Sequence, residues 1–122
     1  MPLVKIHYSN KINETDFDFL SKPLSKSIAS ILGKSEDYIM IVFQCSDFQC
    51  FGTISNTPSV FVELKNVGVF SPDVTSHLTA VVTKLLVESL GLCQKRVYID
   101  FQSSERHQWG WNGDTFGTSR EK

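Results

Sequence analysis

Few residues of this chain are spaced for chemistry. His7, His77 and His107 are dispersed, and none has a partner at a recognisable spacing. Cys45, Cys50 and Cys93 form neither a C-x-x-C pair nor an even framework, so free thiols are expected, with no metal site and no cofactor. The signatures G-x-S-x-G, H-E-x-x-H, G-x-x-x-x-G-K-[ST] and G-x-G-x-x-G are absent from the sequence. One candidate is left, at the start of the chain. Methionine is commonly trimmed before a small residue, and trimming Met1 would make Pro2 a secondary amine at the head of a strand. An α-amine titrates near ~8 in water, and burial beside cations lowers that value. An amine neutral near pH 7 can act as a general base. On the residues alone, an ordinary chain start remains the plainer account of Met1-Pro2.

Such a base needs a scaffold. The chain has 122 residues, of which 41% are apolar and 20% charged, the proportions of one globular domain. Twelve Lys and Arg against thirteen Asp and Glu give a net charge of -1 without a basic stripe, so no nucleic-acid partner is expected. No apolar run approaches the ~18 residues of a membrane span. Met1-Pro2-Leu3-Val4-Lys5 lacks the apolar core and cleavage site of a secretory signal. A cytoplasmic location is expected, with an unconventional route for any export.

The chain also repeats itself. Leu32-Gly33 recurs as Leu90-Gly91, and Ile41, Phe43 and Gln44 recur at Ile99, Phe101 and Gln102. The apolar positions Leu20, Leu24 and Ile28 fall on Leu78, Val82 and Leu86, and Val4 and Ile6 on Val62 and Leu64. Each copy reads as strand, helix, strand. Alternation predicts strands at 2–8 and 58–66, and further strands at 37–44 and 95–102. Ser71-Pro72-Asp73 starts the clearer helix and Gly91 ends it. The other helix is expected over about 14–32, with Pro23 kinking it or marking its true start. Residues 46–57 read as a loop or short edge strand, and Asn112-Gly113 as a turn.

Two parallel strand–helix–strand units side by side give an α+β fold, a four-stranded sheet with two helices on one face. Tyr38, Met40 and Val42 would share one strand face, and Ile39, Ile41 and Phe43 the other. Both are apolar, and two helices cover only one. A homo-oligomer is therefore expected to cover the second.

Met1-Pro2-Leu3, Gly33-Lys34 before Tyr38-Ile39, Asn66-Val67-Gly68, Arg96-Val97-Tyr98-Ile99 and Gly110-Trp111-Asn112-Gly113-Asp114-Thr115-Phe116 stand in a specific order. In that order and spacing the chain resembles the macrophage migration inhibitory factor family, which includes D-dopachrome tautomerase. The resemblance covers residues 2 to about 117. It implies a homotrimer of duplicated units around a central channel. Residues 1–117 would form a single tautomerase-like domain with pseudo-repeats 2–45 and 60–103, and 118–122 a polar tail.

The resemblance further implies a keto–enol tautomerase of aromatic α-keto acids such as phenylpyruvate, with dopachrome tautomerisation as a side activity. Pro2 would be the base. Lys34 would hold the substrate's carboxylate or oxygen and lower the Pro2 pKa. The Val67 N–H would bind a substrate oxygen, and Tyr38, Trp111 and Phe116 would wall the ring. Tyr98 and Asp100 would come from the neighbouring subunit, placing the site at the subunit interface. The chain departs from the family's vertebrate cytokine in several places. Lys65-Asn66 replaces a His-Ser pair, which makes both residues candidate substrate contacts and Lys65 a second cation near the mouth. Asp100 replaces an asparagine, and Ser59-Val60-Phe61-Val62 stands where a C-x-x-C pair would be. The alternative implied by the same resemblance is a cytokine-like signalling protein that binds a cell-surface receptor.

Overall fold

The computed structural model describes residues 1–13 and 15–117. The tail 118–122 lies outside them, as does Glu14, where the first helix was expected to begin.

Six strands and two α-helices follow in order: β1 (Leu3–Ser9), α1 (Phe17–Leu32), β2 (Met40–Ser46), β3 (Val60–Val67), α2 (Pro72–Leu90), β4 (Val97–Ser104), β5 (Gly110–Trp111) and β6 (Asp114–Thr115). The first four strands form one sheet in the order β2-β1-β3-β4. Strand β1 runs parallel to β2, and β3 parallel to β4, while the central pair β1 and β3 is antiparallel. The two β-α-β units thus meet side by side, as the repeat requires.

Both helices lie on one face because their apolar stripes match the inward residues of the strands. Leu20, Leu24 and Ile28 from α1 and Leu78, Val82 and Leu86 from α2 are buried with Val4, Ile6, Val62 and Leu64 in one cluster. Asp16 caps α1 by accepting from the Phe19 N–H, and Ser71 caps α2 by accepting from the Val74 N–H. Gly33 and Gly91 close the helices in the left-handed region, both at φ 67°, where a side chain would be strained. Pro23 does not mark the start of α1. The helix runs through it, although the proline removes the hydrogen bond that would reach the Phe19 carbonyl.

The strands 37–44 and 95–102 begin later than their apolar patterns suggest. Short 3-10 turns occupy Glu36–Tyr38 and Gln94–Arg96, displacing β2 and β4 toward the C-terminus. In the first turn the Ser35 side chain accepts from the Asp37 N–H, so Tyr38 belongs to a turn and not to a strand face. Residues 46–57 form a loop closed by one bridge, Phe51 to Ile54. Asn112 and Gly113 both take positive φ, 56° and 84°, which suits a tight hairpin turn between β5 and β6.

The second face of the sheet is open in the single chain. It carries Met40 at 62% exposure, Phe61 at 39% and Tyr98 at 64%. Polar residues sit among them. His7 Nε2 lies 2.6 Å from Glu63 Oε2, and this hydrogen bond holds the Glu63 carboxyl below its usual range.

Candidate active site

Where the first β-α-β unit ends, chain start, helix end and C-terminal hairpin converge on one cavity of about 260 Å³. Met1, Lys34, Ser35, Tyr38, Val67, Arg106, Trp111 and Phe116 line it. Each position follows from local structure. Gly33 turns the chain out of α1, so that Lys34 leaves the helix at the sheet edge. The turn Glu36–Tyr38 then brings the Tyr38 ring up beside the hairpin. The β5–β6 hairpin presents Trp111 at its tip strand, and the Phe116 N–H donates to the Trp109 carbonyl to hold the following residue down.

The aromatic residues form a wall. Tyr38 meets Trp111 edge to face at 5.3 Å, and Trp111 stacks near-parallel on Phe116 at 6.3 Å between centroids. The wall faces two cationic side chains. Lys34 Nζ donates to the Val67 carbonyl at 3.3 Å. The Arg106 guanidinium lies 6.0 Å from the Phe116 ring centroid. An apolar wall opposite cations is a chemical match for an aromatic or apolar carboxylate.

The chain's terminal amine shares this cavity. Burial, followed by the Lys34 charge and its hydrogen bond, lowers the Met1 α-amine from 8.0 to about 6. Pro2 lies immediately behind, fully buried, and its carbonyl accepts from the Met40 N–H at 3.1 Å. The hydrogen bond fixes the Pro2–Leu3 peptide unit against β2. Cleavage after Met1 would leave the Pro2 nitrogen where the chain enters this cavity.

The residues singled out in the sequence divide into two groups. Lys34, Tyr38, Val67, Trp111 and Phe116 line the cavity, and Pro2 stands behind Met1. Lys65, Asn66, Tyr98 and Asp100 do not line it within one chain. Lys65 lies opposite Leu3 on the open sheet face, because Val60, Val62, Leu64 and Asn66 take the helix-facing positions of β3. Within one chain it stands apart from the residues that line this cavity. Asn66 is buried at 3% exposure. Tyr98 and Asp100 belong to edge strand β4; Tyr98 packs on Phe51 at 4.7 Å, and Asp100 accepts from Gln102. Sequence reading missed Ser35 and Arg106. Ser35 follows Lys34 directly and so could have been found, whereas Arg106 sits in a polar turn with no local signal.

Comparison with known proteins bears on the family and the fold. The family model described as macrophage migration inhibitory factor matches residues 1–117. A macrophage migration inhibitory factor homolog from Brugia malayi is 32% identical over 117 residues, spanning 96% of this chain and 100% of that protein. The crystal structure of a homologue from Prochlorococcus marinus superposes with a TM-score of 0.86 at 31% identity, covering 94% of this chain and 99% of that one. The factor from Trichinella spiralis gives a TM-score of 0.81 at 28% identity, covering 93% and 99%.

Proposed function

Because the chain belongs to the macrophage migration inhibitory factor family, we propose that it is a keto–enol tautomerase acting on aromatic α-keto acids of the phenylpyruvate type, with Pro2 as its general base once Met1 is removed. The observation that carries this reading is the convergence in one cavity of the chain start, Lys34 and an aromatic wall.

In this mechanism the neutral Pro2 nitrogen takes a proton from the carbon beside the substrate's carbonyl. The C–H electron pair forms the carbon–carbon double bond, and the carbonyl π pair moves to oxygen, which then takes up a proton to give the enol. Lys34 and Arg106 hold the carboxylate, the Val67 N–H donates to a substrate oxygen, and Tyr38, Trp111 and Phe116 stack along the ring. Low polarity and positive charge around the amine keep it neutral near pH 7, which a base in this role needs. No cofactor enters the reaction.

The assembly proposed is a homotrimer. Its support is the open sheet face with exposed Met40, Phe61 and Tyr98, since a second copy laid there would bury a large apolar surface. Tyr98 and Asp100, remote from the cavity of their own chain, are then the residues a neighbour contributes. A cytoplasmic location, with export by an unconventional route, is part of this proposal. No helix among the described residues is long and apolar enough to cross a membrane.

The test is phenylpyruvate tautomerisation by protein whose intact mass shows loss of Met1, compared with Pro2→Gly. A fall of ~100-fold or more is expected for the variant. Equal rates would remove the base from the mechanism. The names of the relatives support a second, compatible reading, in which the protein signals through a cell-surface receptor. Receptor binding that persists in Pro2→Gly would separate signalling from catalysis.

A further inference from the structure

One polar side chain of the core has no evident purpose in the fold. Asn66 Oδ1 is buried and makes no hydrogen bond, and it is the one such buried side-chain atom among the described residues. An orphaned buried carbonyl oxygen costs about 1–3 kcal/mol. An apolar residue would suit the position better, as it does at Val62 and Leu64 on the same face of β3.

Strand pairing shows what lies beside it. Leu3 pairs with Lys65 and Val4 with Leu64. Continued by one residue, this antiparallel register sets Pro2 across from Asn66. Directly opposed residues have their Cβ atoms about 5 Å apart on the same face. Pro2 and Asn66 are both buried there. While Met1 is attached, the Pro2 nitrogen is a tertiary amide with no hydrogen to give. Removing Met1 creates a new N–H donor next to an acceptor that lacks one.

We propose that Asn66 is the positioning residue of the catalytic amine: its Oδ1 accepts the N–H of Pro2 and thereby turns the Pro2 lone pair toward the substrate. This rests on the tautomerase reading and extends it. A neutral proline amine has one N–H and one lone pair. Pinning the N–H fixes the direction of the lone pair. After proton abstraction the amine carries two hydrogens; one stays on Asn66 and the other is the proton in transit. The acceptor also favours the protonated form, opposing the burial and the Lys34 charge that favour the neutral one. Asn66 so keeps the amine basic enough to abstract a proton from carbon. Lys34 does not supply the missing donor: its Nζ donates to the Val67 carbonyl and makes no hydrogen bond to Asn66 Oδ1.

The experiment uses full-length protein with Met1 removed, verified by mass, in three forms: unaltered, Asn66→Leu and Asn66→Ala. Leu matches the neighbouring core residues, while Ala only shortens the side chain, so a failure of one to fold leaves the other decisive. Two readouts are taken, the pH profile of phenylpyruvate tautomerisation and the titration of ¹⁵N-labelled Pro2 by NMR. Loss of the acceptor should lower the Pro2 pKa by about one unit, moving the acid limb of kcat/KM to lower pH. Turnover should fall by ~10-fold with KM within twofold. A merely structural asparagine predicts the reverse pattern, a more stable Asn66→Leu with an unmoved Pro2 titration, and that result would overturn the proposal. Should the unaltered protein show no Pro2-dependent turnover, the tautomerase reading fails. The NMR titration still decides whether Asn66 holds the amine.

Discussion

The two β-α-β units share one order of elements, yet the first ends in an open cavity and the second in a buried side chain. Aligned on the glycines that close their helices, Lys34 corresponds to Leu92 and Tyr38 to Arg96, while Pro2 corresponds to Val60. The 3-10 turns Glu36–Tyr38 and Gln94–Arg96 correspond as well. In the first unit the helix end offers a cation to the cavity. In the second, Leu92 is buried in the core. Arg96 instead turns outward onto the preceding loop, donating to the carbonyls of Pro58, Phe51, Ile54 and Thr57 at 2.8, 3.1, 3.0 and 3.3 Å. Its guanidinium also lies 5.4 Å from the Phe51 ring centroid. The fold therefore does not make the site. A few substitutions at equivalent backbone positions decide whether a unit's end binds a ligand or its own loop.

The largest expected effect comes from making the first end resemble the second. Lys34→Leu should reduce kcat/KM for phenylpyruvate by ~100-fold, because a cation facing developing and resident negative charge is lost from a partly enclosed site. Steady-state kinetics at fixed ionic strength check it. Since Leu92 occupies the equivalent helix end without harm, the variant should keep its denaturation midpoint. A loss of activity that tracks a loss of fold would break the comparison.

Arg96→Leu reverses the exchange and should cost stability instead of chemistry. Several loop carbonyls lose a charged donor at once. Because part of the cluster is exposed to water, the net cost is about 2 kcal/mol. Urea denaturation at constant protein concentration measures it. A variant with unaltered stability would mean that the loop holds itself.

How much of this was legible beforehand depends on whether the signal is local. The repeat, the helix caps Ser71 and Gly91 and the Asn112-Gly113 turn were readable, because each acts through its immediate neighbours. The helix-facing set was readable from period alone. The starts of β2 and β4 were not, since a short turn precedes each strand; Ser35 caps the one before β2, whose Tyr38 still looks like strand, while the one before β4 has no side-chain cap to announce it. Alternation along β3 sets Lys65 on the open face opposite Leu3, which a reading of the resemblance alone does not reveal. Arg96 and Arg106 were beyond reach. Their partners are backbone carbonyls and a ring distant in sequence, which leave no pattern around the arginine itself.

A smaller difference separates the helices. Pro23 in α1 stands where α2 has Val81, and only α1 loses a main-chain hydrogen bond. Pro23→Ala should stabilise the protein by about 1–2 kcal/mol, less than the full helix-interior penalty because the helix has already adjusted to the ring. The urea midpoint should rise with the slope unchanged. A destabilised variant would show that the proline's rigidity outweighs the missing bond.

The finest test concerns the amine at the first end, which the second end lacks because the chain there is continuous. In protein that retains Met1, the α-amine titrates at about 6 instead of 8.0, with burial the larger cause and the Lys34 charge the next. The folded chain therefore releases this proton at a lower pH than the unfolded chain does. Between those values the unfolded state binds more protons, so stability rises as pH goes from 6 to 8 and is lost again on acidification. The amine is only partly buried, and solvent screening keeps the gain small. Lys34→Leu removes the Lys34 charge and its hydrogen bond and leaves burial in place. The amine should then titrate higher than about 6 but still below 8.0, as read from the pH dependence of its acylation rate. A return to 8.0 in that variant would mean that charge, not burial, sets the basicity at this end, and the neighbouring Pro2 nitrogen would then depend on Lys34 alone to remain neutral.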